Sequence, residues 1–170
     1  MTALRHETGF TVLEMLVALA IVAVMMTFAI PAFNDFTLQR QIGASVNSLI
    51  TAVNYARNEA ARSGSVVTLQ AIDASENNNE WGPGYCVTTG DPGHCNNPLS
   101  MFGREGGAIT VDASEGLNGV DSMSFNSRGI FLGTVGTFEI CGEDVDSDPG
   151  RVLRISQIGR ASVGELICFP

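Results

Sequence analysis

Lysine is absent from this chain and histidine nearly so: nine arginines carry the basic charge, and the two histidines are His6 and His94. Neither histidine stands in a recognisable base–orienter–nucleophile constellation, so nothing in the sequence points to acid–base or nucleophilic catalysis. His94, in Gly93-His94-Cys95, reads as an exposed loop residue. Positive charge is scarce as well, since 18 Asp and Glu leave a net charge of −9. The deficit lies in residues 65–170, which hold five Arg against 14 acids, whereas residues 32–64 carry +1. So acidic a region offers little net attraction to phosphates and argues against non-specific nucleic-acid binding. Cysteine is missing from the first half, and no C-x-x-C pair occurs. Cys86, Cys95, Cys141 and Cys168 are separated by 8, 45 and 26 residues, which is not zinc-site spacing.

Charge is also missing between Glu14 and Asp35. The 21 residues from Phe10 to Ile30 are apolar apart from Glu14 and two threonines, and as a helix they span about 31 Å, the thickness of a bilayer core. A secretory signal has a shorter apolar region followed by a small-x-small cleavage site, and no such site is present here. A plain anchor explains the length but not Glu14, because a carboxylate at membrane depth costs roughly 2.5–3.5 kcal/mol and ordinarily has a partner. Arg5 ahead of the run favours a cytoplasmic N-terminus. An even cysteine count beyond a membrane anchor reads as two disulfides in an oxidising compartment. Four cysteines allow three pairings. The favoured one joins Cys86 to Cys95 around a Gly/Pro/Asn loop and Cys141 to Cys168, tying the last strand to an earlier one.

Helical character continues past Pro31, where a bend is expected because proline removes a backbone bond and crowds the preceding turn. Ile42, Val46, Leu49, Val53, Ala56 and Ala60 recur at spacings of 4, 3, 4, 3 and 4, an amphipathic stripe that seeks an apolar surface. Ser63-Gly64 ends it. From there the pattern is β. Candidate strands are Val66–Ile72, Tyr85–Thr89, Ala108–Val111, Ser122–Phe125, Thr137–Cys141, Val152–Ser156 and Ala161–Ile167, separated by Gly, Asn, Asp and Pro clusters. Residues 73–107 read mostly as loop. The stripe is then the seam on which the sheet packs.

Gly9-Phe10-Thr11-Val12-Leu13-Glu14 resembles the type IV prepilin processing motif, and the apolar run and amphipathic helix that follow it are in keeping. The segment Asn47 to Leu69 is similar to the minor pseudopilin group, which includes the H subunit of type II secretion and the FimT and FimU minor pilins of type IV pili. Ser124-Phe-Asn-Ser-Arg-Gly129, Glu139-Ile-Cys141 and Arg154-Ile-Ser-Gln-Ile-Gly-Arg160 extend the similarity over nearly the whole chain.

The resemblance implies an α+β fold. A long kinked N-terminal helix, membrane-spanning in its first half, packs against a C-terminal antiparallel β-rich head. It implies a leader at 1–9, a transmembrane helix at 10–30, an amphipathic continuation at 31–64 and a periplasmic head at 65–170. It implies cleavage between Gly9 and Phe10 by a prepilin peptidase, N-methylation of Phe10, and pairing of Glu14 with the amine of a neighbour's Phe10. Such a chain is held in the bacterial inner membrane and then joins a type IV pilus or type II secretion pseudopilus at or near its tip, priming or capping assembly. Its partners are membrane lipid, other major and minor pilins or pseudopilins, the peptidase and the inner-membrane assembly platform. It needs no cofactor and is not an enzyme.

Two further sites come from the same comparison. Some members of the FimT group bind DNA in natural transformation through a C-terminal G-R-x-R motif, so the alternative role is a DNA-binding minor pilin in DNA uptake. The matching positions read Gly159-Arg160-Ala161-Ser162, leaving Arg160 as the single basic contact; its plainer reading is a solvated residue in a hairpin turn. Asp144-Val-Asp146-Ser-Asp148 has the alternating oxygen spacing of calcium loops. Pro149 stands where an EF-hand has Gly, however, and Ile155 where it has Glu. The plainer reading is an acidic turn between two strands.

Overall fold

The computed structural model describes residues 10–72, 80–90, 95–103, 109–114, 120–134, 136–142 and 149–168. One helix, α1 (Val12–Ser63), precedes eight strands: β1 (Val67–Ala71), β2 (Tyr85–Thr89), β3 (Ser100–Phe102), β4 (Ile109–Ser114), β5 (Ser122–Phe125), β6 (Gly136–Gly142), β7 (Pro149–Ile155) and β8 (Ala161–Ile167). The chain divides into two compact units, one ending at Thr37 and the other beginning at Leu38.

The first unit is helical from Val12 on. Leu, Met and Ala favour the helix, and its most apolar 18-residue window reaches a mean hydropathy of 2.5 with none of it buried. Every residue from Phe10 to Phe36 is exposed. A helix apolar on all sides and exposed along its length calls for an apolar phase around it, either lipid or other helices. Pro31 lies inside the helix. Threonines within it turn their hydroxyls back on the helix backbone, Thr27 Oγ1 donating to Val24 O at 2.7 Å and Thr37 Oγ1 to Phe33 O at 2.8 Å. That keeps a polar group satisfied in apolar surroundings.

In the second unit the stripe Ile42, Val46, Leu49, Val53, Ala56 and Ala60 is at most 5% exposed and belongs to one core with both sheets. The sheets are four-stranded and antiparallel, ordered β3-β2-β1-β5 and β4-β6-β7-β8. In the first, Val87, Leu69 and Met123 form one cross-strand row and are fully buried. In the second, β4 alternates strictly, burying Ile109, Val111 and Ala113, and the same face continues through Phe138 and Ile140 on β6 to Leu153 and Ile155 on β7. Trp81 links the sheets: its backbone N–H donates to Val111 O at 3.1 Å, its indole to Val120 O at 3.0 Å, and its ring meets Phe138 edge-on at 5.1 Å. α1 is fastened along β7 at two places, Gln39 Nε2 donating to Pro149 O at 2.8 Å and Arg57 lying against the β7–β8 turn at Gly159.

Three features differ from the sequence expectation. β3 falls within the stretch expected to be mostly loop, because three residues without alternation give no local signal and the strand exists by pairing with β2. β4 runs on to Ser114 through its register with β6. β7 begins at Pro149 rather than Val152, and proline is tolerated at a strand's first position.

Candidate assembly site

The first group of candidate residues lies at the start of α1. Phe10, the first described residue, is 81% exposed. Thr11 and Glu14 then form a reciprocal pair: Glu14 N–H donates to Thr11 Oγ1 at 3.2 Å, and Thr11 N–H to Glu14 Oε2 at a longer 3.4 Å. This is a capping box, in which each side chain satisfies a backbone donor that the helix start leaves open. The carboxylate also sits where the helix dipole favours negative charge. The Thr-x-x-Glu spacing is the signal for it in the sequence, where the acid's cost in lipid is the more conspicuous feature. Gly9 and the junction before Phe10 lie outside the described residues.

The cysteines are brought together in two pairs, Cys86–Cys95 with Cα atoms 6.0 Å apart and Cys141–Cys168 with Cα atoms 5.9 Å apart. The first staples β2 to the chain just ahead of β3. The second passes over β7 at Gly150, where an added Cβ would run into Cys168 Sγ and the Ile140 carbonyl oxygen.

Arg160 is exposed in the turn between β7 and β8, which is closed by Ser156 N–H to Arg160 O and Gly159 N–H to Ser156 O, at 3.0 and 2.7 Å. Arg57, half-buried on α1, donates through Nε to Gly129 O at 3.1 Å, so one guanidinium touches two turns. The sequence offers no local signal for this arrangement, because the turns are far apart in the chain.

Asp144, Asp146 and Asp148 lie outside the described residues, as does His94. Among the described residues no group of three or more His, Cys, Asp and Glu could hold a metal ion. Carboxylates do converge on the other face of the second sheet. Asp112 is directly across from Glu139, Glu139 accepts from Ser114 Oγ at 2.8 Å, and Glu80 stands beside Asp112. Burial, followed by hydrogen bonding to Glu80 and repulsion from both neighbours, pushes the Asp112 carboxyl up to about 6.

These features have counterparts among known proteins. A family model for the type II transport protein GspH matches residues 45–159, and one for the prokaryotic N-terminal methylation motif matches residues 4–30. The chain is 26% identical over 115 residues to the type IV major fimbrial protein FimA of Dichelobacter nodosus, covering 66% of this chain and 71% of FimA. The crystal structure of the type IV minor pilin FimU of Pseudomonas aeruginosa superposes with a TM-score of 0.61 at 27% identity, covering 76% of this chain and 92% of that one. A second crystal form of FimU gives 0.58 at 28% identity, covering 72% and 91%. The GspH match begins on the buried stripe of α1 and ends at Gly159 against Arg57, so it spans the core of the second unit, while the methylation motif covers the exposed apolar run. The chain therefore belongs to the GspH family and is a type IV pilin-like minor pilin or pseudopilin, with a membrane-anchoring apolar helix and surfaces that meet other subunits of its kind.

Proposed function

We propose that this subunit primes or caps a type IV pilus or type II secretion pseudopilus, and that its work is assembly rather than catalysis. The observation that carries the reading is the first unit: a helix of membrane length whose most apolar window is wholly exposed, opening with an acid. The chain is held in the inner membrane with its N-terminus cytoplasmic and its head periplasmic. A prepilin peptidase cuts between Gly9 and Phe10, and the new Phe10 amine is methylated. The parts are then leader 1–9, transmembrane helix 10–30, its amphipathic continuation 31–64, bent at Pro31, and head 65–170. The inner-membrane assembly platform extracts the subunit into the filament.

Glu14 is central. While the subunit waits in the membrane, its carboxylate is engaged by the capping box with Thr11. In the filament it exchanges that weak, long contact for the positive amine of a neighbour's Phe10. A buried pair of this kind sets register more than it adds stability. The test is a Glu14→Ala variant in the native membrane, with Gly9→Val as the processing control. The expected result is that Glu14→Ala inserts and is shortened normally but drops about tenfold or more in sheared filaments, as loss of an interfacial charge pair implies. Normal incorporation of Glu14→Ala would remove the charge pairing from the mechanism. A normally shortened Gly9→Val chain would remove the cleavage site.

A further inference from the structure

In a chain of net charge −9, two neighbouring turns of the second unit carry arginine and no acid. Arg128 and Arg160 lie in them, and Arg57 of α1 reaches both. Arg57 contacts Gly129 and Gly159, both at a φ of 70°. Side chains are rarely adopted at that φ, and at Gly159 an added Cβ would lie 2.5 Å from Arg57 Nε, so glycine is favoured there and any other residue would displace the arginine side chain. Arg128 precedes one of these glycines and Arg160 follows the other, and both are exposed. The two turns are joined by Phe131 N–H donating to Gln157 O at 3.2 Å. Ile158, two residues before Arg160, and Leu132, four residues after Arg128, are 62% and 56% exposed. Neither turn contains an acid, and Glu59, the acid nearest Arg57 along α1, is held by Arg62 at 2.6 Å.

We propose that this pair of turns is a subunit contact that receives the acidic head surface of a neighbouring pilin-type subunit. The inference rests on the assembly reading and adds to it where the head meets its neighbour. A filament grows through heterologous contacts, in which each subunit offers two different and complementary surfaces. Two heads as acidic as this one, with 14 acids against five arginines, repel one another unless a basic surface on one meets acids on the next. Here two of the head's five arginines, Arg128 and Arg160, lie in turns that share Arg57, whereas Arg151 faces Glu165 at 3.8 Å on the sheet. The guanidinium forks of Arg128 and Arg160 suit carboxylates, and the exposed Ile158 and Leu132 supply an apolar centre that can be desolvated. Arg57 is a positioning residue that fixes the spacing of the two turns. DNA is the rival polyanion, but a few arginines on an acidic head give little counterion-release gain, and a phosphate backbone makes no use of the apolar pair.

The experiment uses the full chain in the membrane that builds the filament. Both arginines are exposed, so R128E/R160E is expected to fold, insert and be shortened like the unaltered chain, and to fall about tenfold or more in sheared filaments. In parallel, Ile158→Cys is labelled with a photoreactive maleimide; Cys86, Cys95, Cys141 and Cys168 are all in disulfides, so the label is specific. Irradiated filaments are expected to yield an adduct on an acid-rich peptide from the head of a pilin-type subunit. Unchanged incorporation of R128E/R160E overturns the inference, and so do adducts confined to N-terminal helices or lipid. A short DNA duplex is offered to the detergent-solubilised chain as a third arm. Duplex binding that R128E/R160E abolishes while incorporation is unchanged assigns these turns to nucleic acid, and also overturns it. Failure of the assembly reading looks different: the unaltered chain is then missing from filaments altogether.

Discussion

Cys141 lies on β6 and Cys168 just past β8, so the bond between them has to cross β7. It crosses at Gly150, the one position where the strand carries no side chain to obstruct the sulfurs. Substituting Gly150→Val sets a branched side chain against Cys168 Sγ and the Ile140 carbonyl. The expected cost is about 1–3 kcal/mol from overpacking. If the disulfide cannot close, roughly 3 kcal/mol more is lost, as for a loop of this order. Denaturant midpoints and a free-thiol count check both parts; a stable variant without free thiols would show that the crossing yields more easily than the contacts imply. Asp112 gives a second prediction at the same scale. Its carboxyl titrates near about 6 in the folded chain against an ordinary 3.8. The folded state therefore holds that proton more tightly than the unfolded chain does, and stability falls as pH rises from the ordinary value through the folded one. With solvent screening the loss is expected to be of order 1 kcal/mol. Denaturant midpoints taken across that window should fall in the unaltered chain and be flatter in Asp112→Asn, which accepts no charge. Parallel curves would assign the pH dependence to other groups.

At the scale of elements, α1 does two different jobs with one backbone. Its second half is held by a stripe that reaches into a core shared with both sheets, so truncating that stripe is costly. Leu49→Ala is expected to destabilise the folded chain by about 2–5 kcal/mol through lost burial and the cavity left behind. Asn54→Ala, on the exposed face of the same helix, should stay within about 0.5 kcal/mol. Thermal or denaturant unfolding separates the two; comparable effects would mean that the stripe does not carry the packing. The stripe was legible in the sequence because its spacing repeats a helical period over five turns and its burial follows directly. The same holds for Tyr85–Thr89, Ser122–Phe125 and Ala161–Ile167, short β-rich runs bounded by turn residues. β3 was not legible, since Ser100-Met101-Phe102 becomes a strand only when β2 offers an edge. Gly150, Gly159 and Gly129 were not legible as packing sites either. Each answers to a group far away in the chain, and local pattern carries no record of such a meeting. The capping box is a different case: Thr11-x-x-Glu14 was in plain view, and the two demands on Glu14, in lipid and at a helix start, compete for the same reading.

On the scale of the whole molecule, the division at Thr37 and Leu38 separates two kinds of stability. Residues 10–36 are exposed and mostly apolar, and gain little by folding alone in water. From Leu38 on, the chain owns a complete core and both disulfides. Its helix is tied down close to the new start by the Gln39 bond to Pro149 O and farther along by Arg57 to Gly129 O. A chain beginning at Leu38 should therefore fold in water without detergent. Only its first helical turn is expected to fray, because the four leading N–H groups lose their acceptors there. Its denaturation midpoint should match that of the full chain in mild detergent to within about 1 kcal/mol, the scale of a missing helix cap. Near-ultraviolet circular dichroism of the buried Trp81 would report whether the core is native. A fragment that binds hydrophobic dye and lacks that signal would mean that the first half of α1 takes part in folding the head. The anchor could then no longer be treated as an arm reserved for lipid and neighbouring helices.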